Sequence, residues 1–103
     1  MKRLEMRVDQ FKIAAKMLKY ELRTCAAIMT MKDGSRMTTR VESFYTPEGH
    51  VCVVLSNSVI FDFDTYEEFE QWFNKKFELC ESEKDMYQKF LGLTDEDWEE
   101  WNK

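Results

Sequence analysis

The sequence predicts a single α+β domain over residues 1–103, in which an N-terminal helix, a four-stranded antiparallel meander and two to three C-terminal helices pack together. Three observations lead to this fold class. Apolar residues recur at helical spacing near the N-terminus, short turn sequences separate apolar runs in the middle, and helix-capping patterns open the last forty residues. We expect the helices to cover one face of the sheet, as in many α+β proteins.

The N-terminal helix is predicted over residues 3–23, where apolar residues follow one another at intervals of three or four. This first stripe consists of Leu4, Val8, Phe11, Ala15, Leu18 and Leu22. A second apolar stripe lies almost opposite and consists of Met6, Ile13, Met17 and Tyr20. A helix that lies on a sheet buries one face, so the second stripe either meets the C-terminal helices or forms an interface with a second copy or a partner. Flexible methionine side chains suit such adaptable surfaces.

The meander follows from turn chemistry. Asp33-Gly34 is a strong hairpin signal and predicts strands over about 25–31 and 36–45. The Pro-containing sequence at 46–49 precedes a third strand over 51–55. A short polar turn then leads to a fourth strand over about 59–63, with alternating residues. Connections this short favour antiparallel pairing, since parallel strands need a crossover of a dozen or more residues.

The C-terminal helices are predicted from their caps. Asp64 or Thr65 opens a helix that continues to about residue 79, because either residue has a glutamate three positions later. Ser82 opens a second, shorter helix and Thr94 opens a third.

Composition excludes several classes of protein. The longest apolar run, residues 51–55, is far too short to cross a membrane. Charged residues interrupt the N-terminal segment, so we expect no signal peptide. Cys25, Cys52 and Cys80 are odd in number and widely spaced, which favours buried free thiols over a disulfide and predicts a cytoplasmic location.

The charge is divided along the chain. Residues 1–50 contain ten Lys and Arg against six Asp and Glu, a net charge of +4, whereas residues 51–103 contain five against fourteen, a net charge of −9. Acids in the first turn of a helix are explained by the helix dipole. Acids further along the helices are not, and an acidic surface of this kind steers binding to a basic partner. The predicted partner-binding residues are Glu70, Glu78, Glu81, Asp95, Glu96, Asp97, Trp98, Glu99, Glu100 and Trp101.

Two patterns carry possible chemistry. Asp62 and Asp64 lie two residues apart after a strand, a spacing that suits Mg²⁺, but we favour Asp62 on the solvent side of an edge strand and Asp64 as a helix cap. His50 and Cys52 would share one face of a strand and form a nucleophilic pair, although we favour a surface histidine at a turn. Neither pattern is a complete catalytic signature, so we predict no catalytic residue, metal or cofactor.

The predicted N-terminal helix also has a basic stripe, formed by Lys12, Lys16, Lys19 and Arg23. Such a stripe is able to bind phosphates. Because acidic residues share the same face and the chain has a net charge of −5, we interpret the stripe as a solvated face or as a partner of the chain's own acidic helices.

Together these patterns predict a small, acidic, non-enzymatic protein that docks on a basic, nucleic-acid-binding surface of a protein partner, without contacting nucleic acid or membrane itself. In size, acidity and layout the chain resembles phage-borne inhibitors of host defence, such as anti-CRISPR proteins. That resemblance concerns residues 62–100 and implies an inhibitor or nucleic-acid mimic. Two alternatives remain: a homodimeric structural or adaptor module that uses the second stripe, and a small Mg²⁺-dependent enzyme centred on Asp62 and Asp64.

Overall fold

The computed structural model describes residues 1–56 and 58–101, and within them six strands form one antiparallel sheet accompanied by four helices. The elements in chain order are β1 (Lys2–Arg3), α1 (Val8–Met17), β2 (Glu21–Thr30), β3 (Arg36–Tyr45), β4 (Val51–Leu55), β5 (Val59–Phe63), α2 (Tyr66–Lys76), β6 (Phe77–Cys80), α3 (Glu83–Leu91) and α4 (Asp95–Trp101). The strand order is β1-β5-β4-β3-β2-β6. The predicted α+β class is therefore confirmed, whereas the helix bounds and the number of strands differ from the prediction.

Helices cover both faces of the sheet, not one face as predicted. Val51 and Val53 on β4 belong to the cluster that packs under α2, and Cys52 and Val54 belong to the cluster under α1. The register of β2 against β3 places Ile28, which contacts α3, on the same face as α1. We call the two sides of the sheet the α2 face and the α1 face. Burial on both faces explains why β4 is an uninterrupted apolar run, since a strand that is buried on both sides has no alternation of polar residues.

The α2 face holds an aromatic core. Phe63 is fully buried, and its ring centroid lies 5.7 Å from that of Phe69 and 5.1 Å from that of Trp72. Phe73 and Phe77 stack with their centroids 4.9 Å apart. These separations lie in the range that aromatic pairs prefer, where a pair contributes about 0.5–1.5 kcal/mol beyond its buried area. These aromatic residues thus form the central packing of one layer.

The N-terminal helix is much shorter than predicted. It ends after Met17, Lys19 adopts a positive φ of 59°, and the backbone N–H of Tyr20 donates to the carbonyl of Ala15 at 2.9 Å. From Glu21 onward the chain is strand β2, which forms ten residue pairs with β3. The pairing of β2 with β3 explains the difference. The apolar spacing of this segment also suits a helix, but its backbone groups bond to a neighbouring strand, and that pairing decides the structure.

The strand β6 replaces the end of a predicted helix. Residues up to 79 were expected to be helical, but α2 ends at Lys76 and Phe77–Cys80 pair with β2. In the strand, Phe77 joins the core of the α2 face and Cys80 joins the cluster under α3. Phe77 and Cys80 therefore face opposite sides of a sheet and do not lie on one apolar stripe of a helix.

The predicted caps are present in the three C-terminal helices. Thr65 Oγ1 accepts from the Glu68 N–H at 3.2 Å, and Ser82 Oγ accepts from the Asp85 N–H at 3.1 Å. Thr94 opens α4 in the same way. None of the four helices in the described ranges has the length and apolar character needed to cross a membrane.

Candidate functional site

An aromatic cluster joins α4 to α3. Tyr87 of α3 lies 6.2 Å from Trp98 and 5.6 Å from Trp101, measured between ring centroids. The two tryptophans meet edge to face at 5.7 Å. Trp98 is half-buried, whereas Trp101 has 55% of its surface exposed. The cluster therefore fixes the short helix α4 on the domain and still presents one tryptophan to solvent.

Part of the predicted acidic surface is used inside the molecule. Asp95 Oδ1 accepts from Gln88 Nε2 at 2.8 Å and lies 3.3 Å from Lys84 Nζ. The hydrogen bond from Gln88, together with Lys84, holds the pKa of Asp95 below its ordinary value. Asp97 accepts from the Thr94 N–H at 3.1 Å, and its own N–H donates to Thr94 Oγ1 at 3.1 Å. These two acids stabilise the start of α4, as a reciprocal capping box does.

Glu78 also has internal partners. Its carboxylate lies 3.8 Å from Arg36 and 3.7 Å from Lys89, so β6 is tied electrostatically to β3 and α3. Glu81 is exposed, and its backbone N–H donates to Asp85. Glu70 is exposed on α2, which packs against the opposite face of the sheet from α3 and α4. The ten predicted residues therefore do not form one continuous site.

The remaining acids define a smaller surface. Glu96, Glu99 and Glu100 are exposed on α4, the same short helix that carries Trp101. We call these four residues the α4 patch. Within the described residues, Glu96 and Glu99 have no ion pair or hydrogen bond, so their charges are available to a partner. The sequence pattern did not separate these acids from Asp95 and Asp97, and it did not identify Tyr87 as their support.

The second apolar stripe is mostly exposed. Ile13 and Met17 on α1 have 63% and 78% of their surface exposed, and Met6 has 50%. Tyr20 instead packs against the buried cluster of the α1 face. Of the two expectations for this stripe, internal burial holds for Tyr20 alone, and the other three side chains are exposed.

The predicted basic stripe is not a single helix face. Lys12 Nζ lies 3.0 Å from Glu42 of β3. Arg23 lies on β2, 3.3 Å from Glu21, with its guanidinium carbon 4.6 Å from the centre of the Tyr45 ring. Both basic residues pair with acids of the chain itself, but these acids lie on strands and not on the acidic helices that were expected to be their partners.

A polar cluster lies at the open end of the β4–β5 hairpin. In this hairpin Cys52 pairs with Asp62 and Val51 with Phe63. His50 Nδ1 lies 3.6 Å from Asp62 Oδ1 and 3.8 Å from Asp64 Oδ1. Because β1 pairs with β5, Asp62 is not on an edge strand as expected, and it points to the α1 face, half-buried. Asp64 is not the helix cap either, since Thr65 has that role.

The thiol of Cys52 belongs to the same cluster. Cys52 Sγ donates to Asp62 Oδ1 at 3.6 Å. Burial, with the neighbouring carboxylate, raises the pKa of Cys52 to about 12. A thiol in this environment stays protonated at neutral pH, which opposes the nucleophilic Cys–His pair considered above, because the thiolate is the reactive form.

The sequence contained a signal for this cluster that we did not use. Residues 55 and 59 are paired across the turn, and the same register places Cys52 opposite Asp62 and positions 50 and 64 next in line. A hairpin register derived from the loop length would therefore have predicted that His50 lies close to the two aspartates.

Comparison with known proteins yields no match: no family model, no curated protein and no solved structure is similar to this chain.

Proposed function

We propose that this protein is a non-enzymatic binding protein whose α4 patch docks on a basic, nucleic-acid-binding surface of a protein partner. The observation that carries the proposal is the arrangement of α4 itself: an aromatic cluster holds the helix in place, while Glu96, Glu99 and Trp101 are all exposed on it. In this function the protein acts as an inhibitor that excludes nucleic acid from its partner.

Charge and side-chain chemistry support this role. Residues 51–103 have a net charge of −9, and a concentration of one sign of charge accelerates encounter with an oppositely charged surface. Tryptophan is among the residues most enriched at energetically dominant positions of protein interfaces. A short helix that exposes both a tryptophan and several glutamates therefore offers a partner an apolar contact and a negative charge.

The test compares two double variants of equal charge. Glu96→Lys/Glu99→Lys alters the α4 patch, and Glu5→Lys/Glu48→Lys alters exposed acids elsewhere. Each Glu→Lys substitution raises the net charge by two units, so both double variants change the net charge from −5 to −1. The immobilised proteins are used to capture partners from a lysate of the native host at low salt, with a high-salt step and a duplex-DNA competitor. Circular dichroism verifies that both variants are folded.

We expect the wild type and the control variant to retain a basic nucleic-acid-binding protein that high salt or DNA releases, and the α4 variant to lose it. Equal retention by the two variants, or a retained protein that DNA does not displace, would contradict the proposal. The salt dependence follows from the screening of exposed charges, whose Debye length is about 10 Å at 0.1 M salt.

A second candidate function is a homodimeric adaptor. The side chains of Ile13 and Met17 are exposed one turn apart on α1, and Met6 is exposed just before the helix, which supports self-association. Light scattering after size exclusion should then show a dimer for the wild type and a monomer for Ile13→Glu/Met17→Glu. Leu91→Glu, at a residue with 50% exposure on α3, is the control and should remain dimeric. A monomeric wild type at high concentration would exclude this function.

A further inference from the structure

We propose that His50, Asp62 and Asp64 form a binding site for one divalent transition-metal ion of the zinc type. The three side chains come from the β3–β4 turn, from β5 and from the residue that follows β5. Their ligand atoms all lie within 4.8 Å of one another. One imidazole nitrogen and two carboxylate oxygens that converge in this way are a set of ligands that Zn²⁺ accepts.

The backbone explains why the ligands converge. The β4–β5 pairing runs from Leu55 opposite Val59 to Val51 opposite Phe63, and it places the residue before β4 next to the residue after β5. At the other end of the turn, the His50 N–H donates to Thr46 Oγ1 at 3.0 Å, and the Thr46 N–H donates to the His50 carbonyl at 3.0 Å. Both sides of the site are therefore held by hydrogen-bonded backbone.

The distances favour zinc over magnesium. The Nδ1 atom of His50 is 3.6 Å and 3.8 Å from the two aspartate oxygens, longer than the usual hydrogen-bond length. Ligands at about 2.0–2.1 Å from a tetrahedral ion are about 3.4 Å apart. Ligands of an octahedral Mg²⁺ are about 2.9 Å apart, and Mg²⁺ prefers oxygen alone. The observed spacing is closer to the tetrahedral value, and the imidazole ligand indicates the same choice.

An independent feature supports a ligand at this place. A cleft of about 450 Å³ lies between α1 and the hairpin end, and its wall includes Phe11, Ala15 and Leu18 together with His50 and Asp62. A concave, mostly apolar surface with a few converging polar groups is the general form of a small-molecule site. Three protein ligands leave a fourth position on a tetrahedral ion, which a water molecule or a molecule in the cleft is able to fill.

Cys52 contributes as a positioning residue. Its thiol is buried and donates to Asp62 Oδ1 at 3.6 Å, so it orients the carboxylate toward the histidine. Hydrogen bonds to metal-binding carboxylates commonly fix their geometry. The thiol is outside the group of three ligand atoms that converge.

The experiment is calorimetric titration of the chelator-treated, full-length protein with ZnCl₂ and, separately, with MgCl₂. We expect one zinc ion per chain, no saturable magnesium binding, and at least tenfold weaker zinc binding in Asp64→Asn and His50→Ala. Asp64 is exposed, so its substitution should leave the fold intact. The matched control is Asp9→Asn, an exposed acid of α1 that pairs with Arg7 and accepts from the backbone N–H of Gln10, and it should bind zinc like the wild type.

Two results would overturn the proposal. Absence of saturable zinc binding would show that the three side chains form a polar contact and not a metal site. Zinc binding that survives Asp64→Asn but disappears in Cys52→Ala would place the ion on thiol groups instead. A thermal-shift measurement gives a second readout, because a ligand specific for the folded state raises the unfolding temperature with its concentration.

Discussion

Truncation of two neighbouring valines on β4 tests whether both faces of the sheet contain a core. Val53 and Val54 are each 0% exposed, and they point to the α2 face and the α1 face respectively. Each Val→Ala change removes two methyl groups, which corresponds to about 1.6 kcal/mol of lost transfer free energy. A cavity term adds to this where the surroundings do not collapse. We therefore expect each variant to lose about 2 kcal/mol of unfolding free energy.

Urea unfolding followed by tryptophan fluorescence and circular dichroism measures both losses. The midpoint should fall by a similar amount in the two variants while the slope stays constant, which identifies a change in stability and not in compactness. Val59→Ala, at a half-buried position on β5, is the control and should cost clearly less. If either Val53→Ala or Val54→Ala stays within about 0.5 kcal/mol of the wild type, as surface substitutions do, the corresponding face is not covered by helices.

Two further predictions concern a helix cap and a buried thiol. Ser82→Ala should lower the unfolding free energy by about 1 kcal/mol, because it removes the acceptor for the Asp85 N–H at the start of α3, and urea unfolding checks this. The pKa of Cys52 is raised from 9.0 to about 12, so between these pH values the unfolded chain releases a proton that the folded chain keeps. Stability is therefore lost as the pH rises from about 9 toward 12, and thermal unfolding should show a shallower loss in Cys52→Ala. Parallel pH profiles of the two proteins would contradict the assigned environment of the thiol.

Local sequence signals predicted the middle of the chain well. The strands over 36–45, 51–55 and 59–63 have the predicted bounds, and the first two are joined at the expected Pro-containing segment. The predicted polar turn after 55 includes residue 57, which lies outside the described residues. These features depend on a few neighbouring residues, such as a glycine that tolerates the positive φ of a turn. Gly34 has a φ of 87° in the first hairpin. Such preferences act over short distances and are readable without knowledge of the fold.

The errors occur where distant segments decide the structure. Lys2 pairs with Asp62, and Ala26 pairs with Cys80, so the two edge strands exist only because their partners are already in the sheet. The helical spacing of the apolar residues after Met17 was real, but ten pairs with β3 outweigh it. Whether helices cover one face or two also depends on tertiary packing, although the fully apolar β4 was an unused sign of burial on both sides.

In the candidate sites, too, the sequence predicted local features but not those that depend on contacts between side chains. Charge patterning identified the acidic C-terminal segment, but it did not show that Asp95 and Asp97 are used for capping while Glu96 and Glu99 face solvent. That division depends on the contacts of individual side chains. The Asp62–Asp64 pair was visible as a motif, and His50 joins it only through the register of a hairpin.

The charges on α4 imply an opposition between the stability of the helix and the proposed binding. On a helix, residues four apart are neighbours, so Asp95 faces Glu99 and Glu96 faces Glu100, and like charges at this spacing destabilise the helix. The capping box and the Tyr87 cluster are needed to hold a helix with this composition. Glu99→Gln should therefore leave the urea midpoint unchanged or raise it, while it weakens the salt-sensitive retention of the partner. An acid that stabilises the folded state would behave in the opposite way. A lower urea midpoint in Glu99→Gln, with unchanged retention of the partner, would show that Glu99 is structural and that the binding surface lies elsewhere.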